Sequence, residues 1–300
     1  MSWVNTAILS AAVLGAVNII DSHLLSRRMP SLRSFLLPAG IITLIYSSVL
    51  FILFPIPEGT STLILLVTVV SGILRSAAVT IMLYTLIREE VSLVIPVVHI
   101  YPVFVALLAI PVLGESLVRL QWLAVIIVVS GAVMVSIRRE SSGKGAWLGK
   151  SFGLLIGSSL LMAVADIASK YALAYISFWN MYCLSAFCMS FFFLLISLRP
   201  SVFKELRWMQ HQGLAISLLI FNETLALVGV VLSFWAMGRG PVSLVSTILG
   251  TRPIFVFMFT LILSCVSPMF LEWHWTRAIL ALRLTAIVMI VAGVAIIHLV

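Results

Sequence analysis

Val91-Ser92-Leu93-Val94 is followed, after seven residues, by Pro102, Phe104 and Val105; later in the chain Val242-Ser243-Leu244-Val245 is followed at the same spacing by Pro253, Phe255 and Val256. Seven of fifteen aligned positions are identical at a constant offset of 151 residues. In a chain of 300 residues that offset marks two halves built on one plan. The positions that differ carry the polarity. His99 and Tyr101 of the first copy stand where the second has Gly250 and Arg252. Each copy therefore sets a polar or ionisable side chain beside its proline, inside an otherwise apolar segment.

The surroundings explain what such a segment is. The chain is 62% hydrophobic and 9% charged, with a mean hydropathy of +1.23. A soluble domain carries about 25% charged residues. So few charges cannot cover a water-facing surface, and most of this chain faces lipid or other helices. The net charge of +8 belongs to loop lysines and arginines that orient membrane helices, not to a nucleic-acid surface. Cys183, Cys188 and Cys265 lie in apolar runs without metal or disulfide spacing and read as core residues. No basic stretch precedes the first apolar run, so a cleaved signal peptide is not expected.

Apolar runs bounded by charges, prolines or glycines predict ten membrane helices. In order they are Trp3 to Leu25, Ser34 to Phe54, Ser61 to Ile87, Val91 to Val112, Leu117 to Ile137, Trp147 to Tyr175, Phe178 to Leu198, Gln212 to Met237, Val242 to Cys265 and Ala278 to Leu299. Barrel strands are shorter and alternate in polarity, so the fold class is an all-α integral membrane protein. Residues 1–140 form one five-helix repeat, 141–146 a linker and 147–300 the second repeat. Ala16-Val17, Ile20 and Ser22 recur as Ala163-Val164, Ile167 and Ser169, and Gly131 recurs as Gly293. Five helices per half is an odd number, so the second repeat enters the membrane inverted, with the natural site between the halves near the midplane. Thirteen Lys or Arg fall in one set of connections and only Arg119 and Arg239 in the other. The positive-inside rule then puts both termini outside the cytoplasm.

No catalytic constellation is present: there is no metal-ligand spacing, no P-loop and no Ser-His-Asp order, so the chain reads as a non-enzyme without cofactor or metal. What remains is a set of ionisable groups at membrane depth, each costly there unless paired or wet. Arg75, Lys170 and Arg252 balance Asp21, Asp166 and Glu223, which allows three structural ion pairs as readily as a solute cavity. Arg75 and Glu223 lie midway along their spans and are the first candidates; His99, Tyr101 and Arg252 follow because they neighbour the repeated proline. Asp166 and Lys170 are four residues apart, the spacing of an intrahelical pair. Pro102 and Pro253 break the helical hydrogen-bond ladder and are hinge candidates. Tyr84 and Trp235 align across the repeat, as gating aromatics or as an interfacial belt. The Ser130-Gly131-Ala132 and Ala292-Gly293-Val294 stretches suit close packing, within the chain or in a homodimer.

Two five-helix halves, a Val-Ser-Leu-Val opening, Gly114-Glu115 after the fourth span, then Gln121, Gly131 and a basic end at Arg138-Arg139 together resemble the EamA-type branch of the drug/metabolite transporter superfamily. The resemblance covers the whole chain, except that the second half lacks the Gly-Glu, Glu272 being its nearest counterpart. It implies a secondary carrier with a central cavity, moving small organic metabolites by alternating access; cavity groups of both signs favour an amino-acid-like solute. It also implies cytoplasmic termini, against the loop charge, and, for a bacterial chain, the inner membrane. A flippase for lipid-linked sugars or lipids, and a non-transporting scaffold, are the alternatives.

Overall fold

The computed structural model describes residues 2–86, 97–136, 150–209, 212–266 and 277–299. Within them the structure is helical: α1 Trp3–His23, continued by one π turn Leu24–Arg28, α2 Leu32–Leu53, α3 Thr62–Leu86, α4 Tyr101–Leu113, α5 Arg119–Ser136, α6 Lys150–Ala172, α7 Phe178–Ser197, α8 Pro200–Arg207, α9 Gln212–Arg239, α10 Val242–Leu249, α11 Arg252–Val266 and α12 Arg277–Leu299. Among the described residues seven helical stretches are long and apolar enough to cross a membrane, and three shorter apolar helices accompany them. The protein is a multi-pass integral membrane protein. The Val91-Ser92-Leu93-Val94 copy, the 141–146 linker and Glu272 lie outside the described residues.

Local chemistry sets the helix ends. Ser2, Ser31 and Ser177 each accept the backbone N–H three residues on, at 3.3, 3.2 and 3.1 Å, satisfying a donor that the first helical turn leaves free. Gly114 closes α4 in the left-handed region at φ 67°, where a Cβ would be strained. Apart from the fourth predicted span, whose first residues lie outside the described ones and whose helix α4 begins only at Tyr101, the predicted spans lie within a few residues of described helices, with two further differences. The short α8 lies in what reads as a polar connection. The predicted ninth span is two helices, α10 and α11, interrupted at Gly250–Thr251.

The interruption revises the role of the two prolines. Pro102 and Pro253 are the second residues of α4 and α11, not kinks inside continuous helices. A proline there removes no helical hydrogen bond, because the first N–H groups of a helix have no partner within it. The backbone bonds around the two breaks correspond at the repeat offset. Ile100 N–H donates to Val97 (3.3 Å) and Val103 to Ile100 (3.0 Å), as Thr251 does to Ile248 (3.0 Å) and Ile254 to Thr251 (2.9 Å).

The principal packed pairs are α1 with α9, α2 with α7, α3 with α6 and α5 with α12, joined by α4 with α6 and α10, and α1 with α11. Every one of them joins the first half of the chain to the second. Lipid offers no hydrophobic reason for helices to associate, so contacts depend on close approach and interhelical hydrogen bonds. A Cβ on Gly131 would come within 2.8 Å of Ile290, and one on Gly293 within 2.5 Å of Val128. The small-residue stretches thus serve α5–α12 packing within one chain. Serine hydroxyls add cross-helix bonds, Ser10 to the Gly229 carbonyl (2.7 Å) and Ser190 to that of Gly40 (2.6 Å).

Candidate functional site

The α3–α6 contact carries a polar stripe. Ser158, Asp166 and Ser169 lie on one face of α6, at helical spacings, and meet Ala78, Arg75 and Ser71 of α3. Ser158 donates to the Ala78 carbonyl (2.8 Å), and the Ser71 and Ser169 hydroxyls are 2.8 Å apart. Between them Arg75 Nη2 contacts Asp166 Oδ1 at 2.8 Å, with side chains only 12% and 2% exposed. Arg75 also donates to Ser169 Oγ (3.3 Å), and its guanidinium lies over the Phe234 ring of α9, 5.1 Å from the centroid. That ring face is a second favourable surface for the cation.

Asp166 extends the network to the helix breaks. Its Oδ2 accepts from Ser246 Oγ of α10 (3.0 Å), while the Ser246 carbonyl accepts from Tyr101 Oη (3.2 Å) at the start of α4. Pro102 sits 3.1 Å from the position of a Cβ on Gly250, so the described parts of the two motif copies touch. Arg252 begins α11 within electrostatic reach of Tyr101, Asp166 and Arg75, and His99 within reach of Arg252. Five of the sequence-chosen candidates, Arg75, His99, Tyr101, Asp166 and Arg252, therefore form one buried cluster between the halves.

Glu115 explains the start of the second motif copy. From the loop after α4, its carboxylate accepts the Val242 N–H (2.6 Å), the Ser243 N–H (3.3 Å) and the Ser243 hydroxyl. An anion at a helix N-terminus meets unpaired donors and the positive end of the dipole. Gly114 turns the chain so that Glu115 reaches α10, and Val242-Ser243 supplies the donors. Residues 1–137 match the model of the EamA-like transporter family. That family is part of the drug/metabolite transporter superfamily, as the sequence motifs suggest. A crystal structure with 19% sequence identity shares the fold at a TM-score of 0.67, the match covering 99% of this chain and 95% of that one. No curated protein matches the chain.

The remaining candidates lie away from this cluster. Glu223 Oε2 accepts from Thr43 of α2 (3.1 Å), and the carboxylate lies within electrostatic reach of Asp21. Asp21 accepts from the buried Asn222 amide (2.7 Å). Asp166 and Lys170 do not pair. Lys170 Nζ instead donates to the carbonyls of Met237 (2.7 Å) and Gly240 (2.8 Å), capping the C-terminal end of α9. Of three balanced ion pairs, the described residues contain one, Arg75–Asp166. Phe234 and Ser246 join the cluster and Glu115 holds the start of α10, and charge at membrane depth pointed to none of them. Only the Gly-Glu motif pointed toward any of them.

Trp235 lies apart from the cluster, beside a cavity of about 190 Å³ lined by Leu173, Ile176, Phe178, Phe234 and Arg239 among others. The Arg239 guanidinium stacks 3.9 Å above the Trp235 ring. Phe234 links this cavity to the cluster, since its ring carries Arg75. Tyr84 is 41% exposed and faces outward from α3. The aligned aromatics therefore occupy unlike positions.

Proposed function

We propose that the protein is a secondary carrier in which two inverted five-helix repeats, 1–140 and 147–300, move a small polar organic solute between them by alternating access. The observation that carries this reading is the Arg75–Asp166–Ser246–Tyr101 network. It joins α3, α6, α10 and α4, crosses between the halves, and ends at both helix breaks. Charged groups in a bilayer-spanning bundle are costly and are retained where they meet a solute or water. Two further features support inversion. The packed pairs α1–α9 and α3–α6 exchange when the halves are exchanged, and the two breaks share their backbone bonding. Pro102 and Pro253 are the hinge points in this scheme, because the breaks at 99–100 and 250–251 lack a continuous ladder to resist bending. Loop charge favours both termini outside the cytoplasm, and for a bacterial chain the inner membrane.

The test is counterflow in proteoliposomes of the purified chain with labelled amino acids, organic acids, sugars and amines. One class of solute is expected to exchange, and Asp166→Asn is expected to stop that exchange. A cysteine at Ser246, in a background lacking the native cysteines, should react with small polar thiol reagents and be protected by the exchanged solute. A Ser246→Cys chain inert to such reagents from both sides would refute a solute route through the cluster.

A further inference from the structure

Five buried side-chain polar atoms find no partner among the described residues, and three of them, Arg75 Nε, His99 Nδ1 and Arg252 Nε, belong to the one cluster between the halves. Two of the three are obligatory donors, since a guanidinium has no acceptor. The cluster is therefore short of acceptors. It is also short of negative charge. Arg75 and Arg252 contribute two positive charges, whereas Asp166 is the one carboxylate of the described residues within electrostatic reach of Arg252. Both Asp166 oxygens are engaged, one by Arg75 and one by Ser246. Among the described residues Arg252 makes no ion pair. Lys170 does not add to the surplus, because it caps α9 and Glu115 lies within its electrostatic reach.

The geometry points to a site for the carboxylate of a monoanionic solute, held by Arg252 and the unpartnered Arg75 Nε–H. It rests on the cluster being the solute site proposed above and adds the solute's chemical class. One missing unit of charge fits a monocarboxylate better than a phosphate dianion. A planar guanidinium matches a carboxylate edge with paired donors. An ammonium on the solute gains nothing here, because Asp166 is already occupied. The solute class is accordingly wider than amino acids and is defined by its acid group.

The test uses the full chain in detergent or nanodiscs, with propionate, benzoate and alanine as probes against their neutral amides, propylamine and inorganic phosphate. The carboxylates are expected to raise the melting temperature and the amides and propylamine to leave it unchanged. Arg252→Gln should weaken carboxylate binding at least about tenfold, the loss expected for a charge-assisted contact. The same variant should leave the unliganded melting temperature equal or higher, because it removes an uncompensated buried charge. A residue that merely supported the fold would lower it. In the wild-type chain, phenylglyoxal labelling of Arg252 read by mass spectrometry should be blocked by carboxylates, a measurement that needs no variant. Equal binding of acids and amides, tighter binding of phosphate, or Arg252 labelling indifferent to carboxylates would each overturn the proposal. Carboxylate binding without counterflow would sink the carrier function and leave this site standing. Counterflow of neutral solutes alone would do the reverse.

Discussion

At the scale of single residues, the Arg75–Asp166 pair shows what membrane burial demands. Removing one partner leaves the other charged and desolvated, at a cost of about 3–5 kcal/mol in comparable buried pairs. Arg75→Gln and Asp166→Asn are each expected to lower stability by that order. An Arg75→Met/Asp166→Leu double variant should lose much less than the sum, read as thermal unfolding of the purified chain. Additive losses would mean that the two groups are stabilised separately. The candidates themselves were legible from sequence, because an ionisable residue inside an apolar run is conspicuous. Their partners were not. Asp166 and Lys170 have ideal helical spacing, yet the rotation of α6 turns Asp166 toward α3 and lets Lys170 reach the end of α9. Which residue 91 positions away lies opposite a carboxylate is a question of helix register. Charge counting carries no information about it.

At the scale of elements, the caps and contacts outside the membrane are as specific as those inside. α8 is docked on the start of α2 by Glu205, whose carboxylate accepts from the Ser31 hydroxyl (2.6 Å) and from that of Ser34. Those two bonds, Ser31 first, with a smaller contribution from Arg33, hold the Glu205 carboxyl below its ordinary range. A depressed folded value means that the ionised contact is complete above the ordinary carboxylate pKa of about 4 and is lost as pH falls further. Hydrogen exchange in 200–207 should therefore rise at acid pH in the wild type. In Glu205→Gln it should already be raised at neutral pH and vary little; an unchanged acid response would show that another group docks the helix. Helix α8 escaped the sequence reading because eight residues in a polar connection carry too little apolar periodicity to stand out. The contact between α5 and α12 was half legible. Small residues announce close approach, but only the structure gives the partner. Gly293→Leu should be destabilising by at least about 1–3 kcal/mol through overpacking against Val128 and the Ala124 carbonyl, and a conservative Val128→Ala should recover part of that loss. No recovery would place the strain elsewhere.

At the scale of the whole molecule, the duplicated motif and the loop charges make different kinds of claim. The motif speaks to internal architecture: its described portions touch through Pro102 and Gly250, and every principal packed pair crosses between the halves. Neither fact says which way the bundle sits in the membrane, because helix–helix contacts are the same in either orientation. Orientation rests on charge alone, with thirteen basic residues on one set of connections against two on the other. Arg239, one of those two, stacks on Trp235 at the mouth of the cavity lined by Phe234 and is thus structurally committed. The 190 Å³ cavity lies at the end of α9 that leads to Gly240, against which Trp3 packs, so it opens on the same face as the N-terminus. If the charge bias governs insertion, a reporter fused after Val300 is silent in the cytoplasm and active outside it. The cavity then opens outward. Moving the bias should move the protein: replacing Arg27, Arg28 and Arg33 by Gln while adding three Lys beside Arg119 should yield a mixed population. A cytoplasmic signal from the unmodified fusion would reverse the cavity's side without altering the Arg75–Asp166–Arg252 cluster.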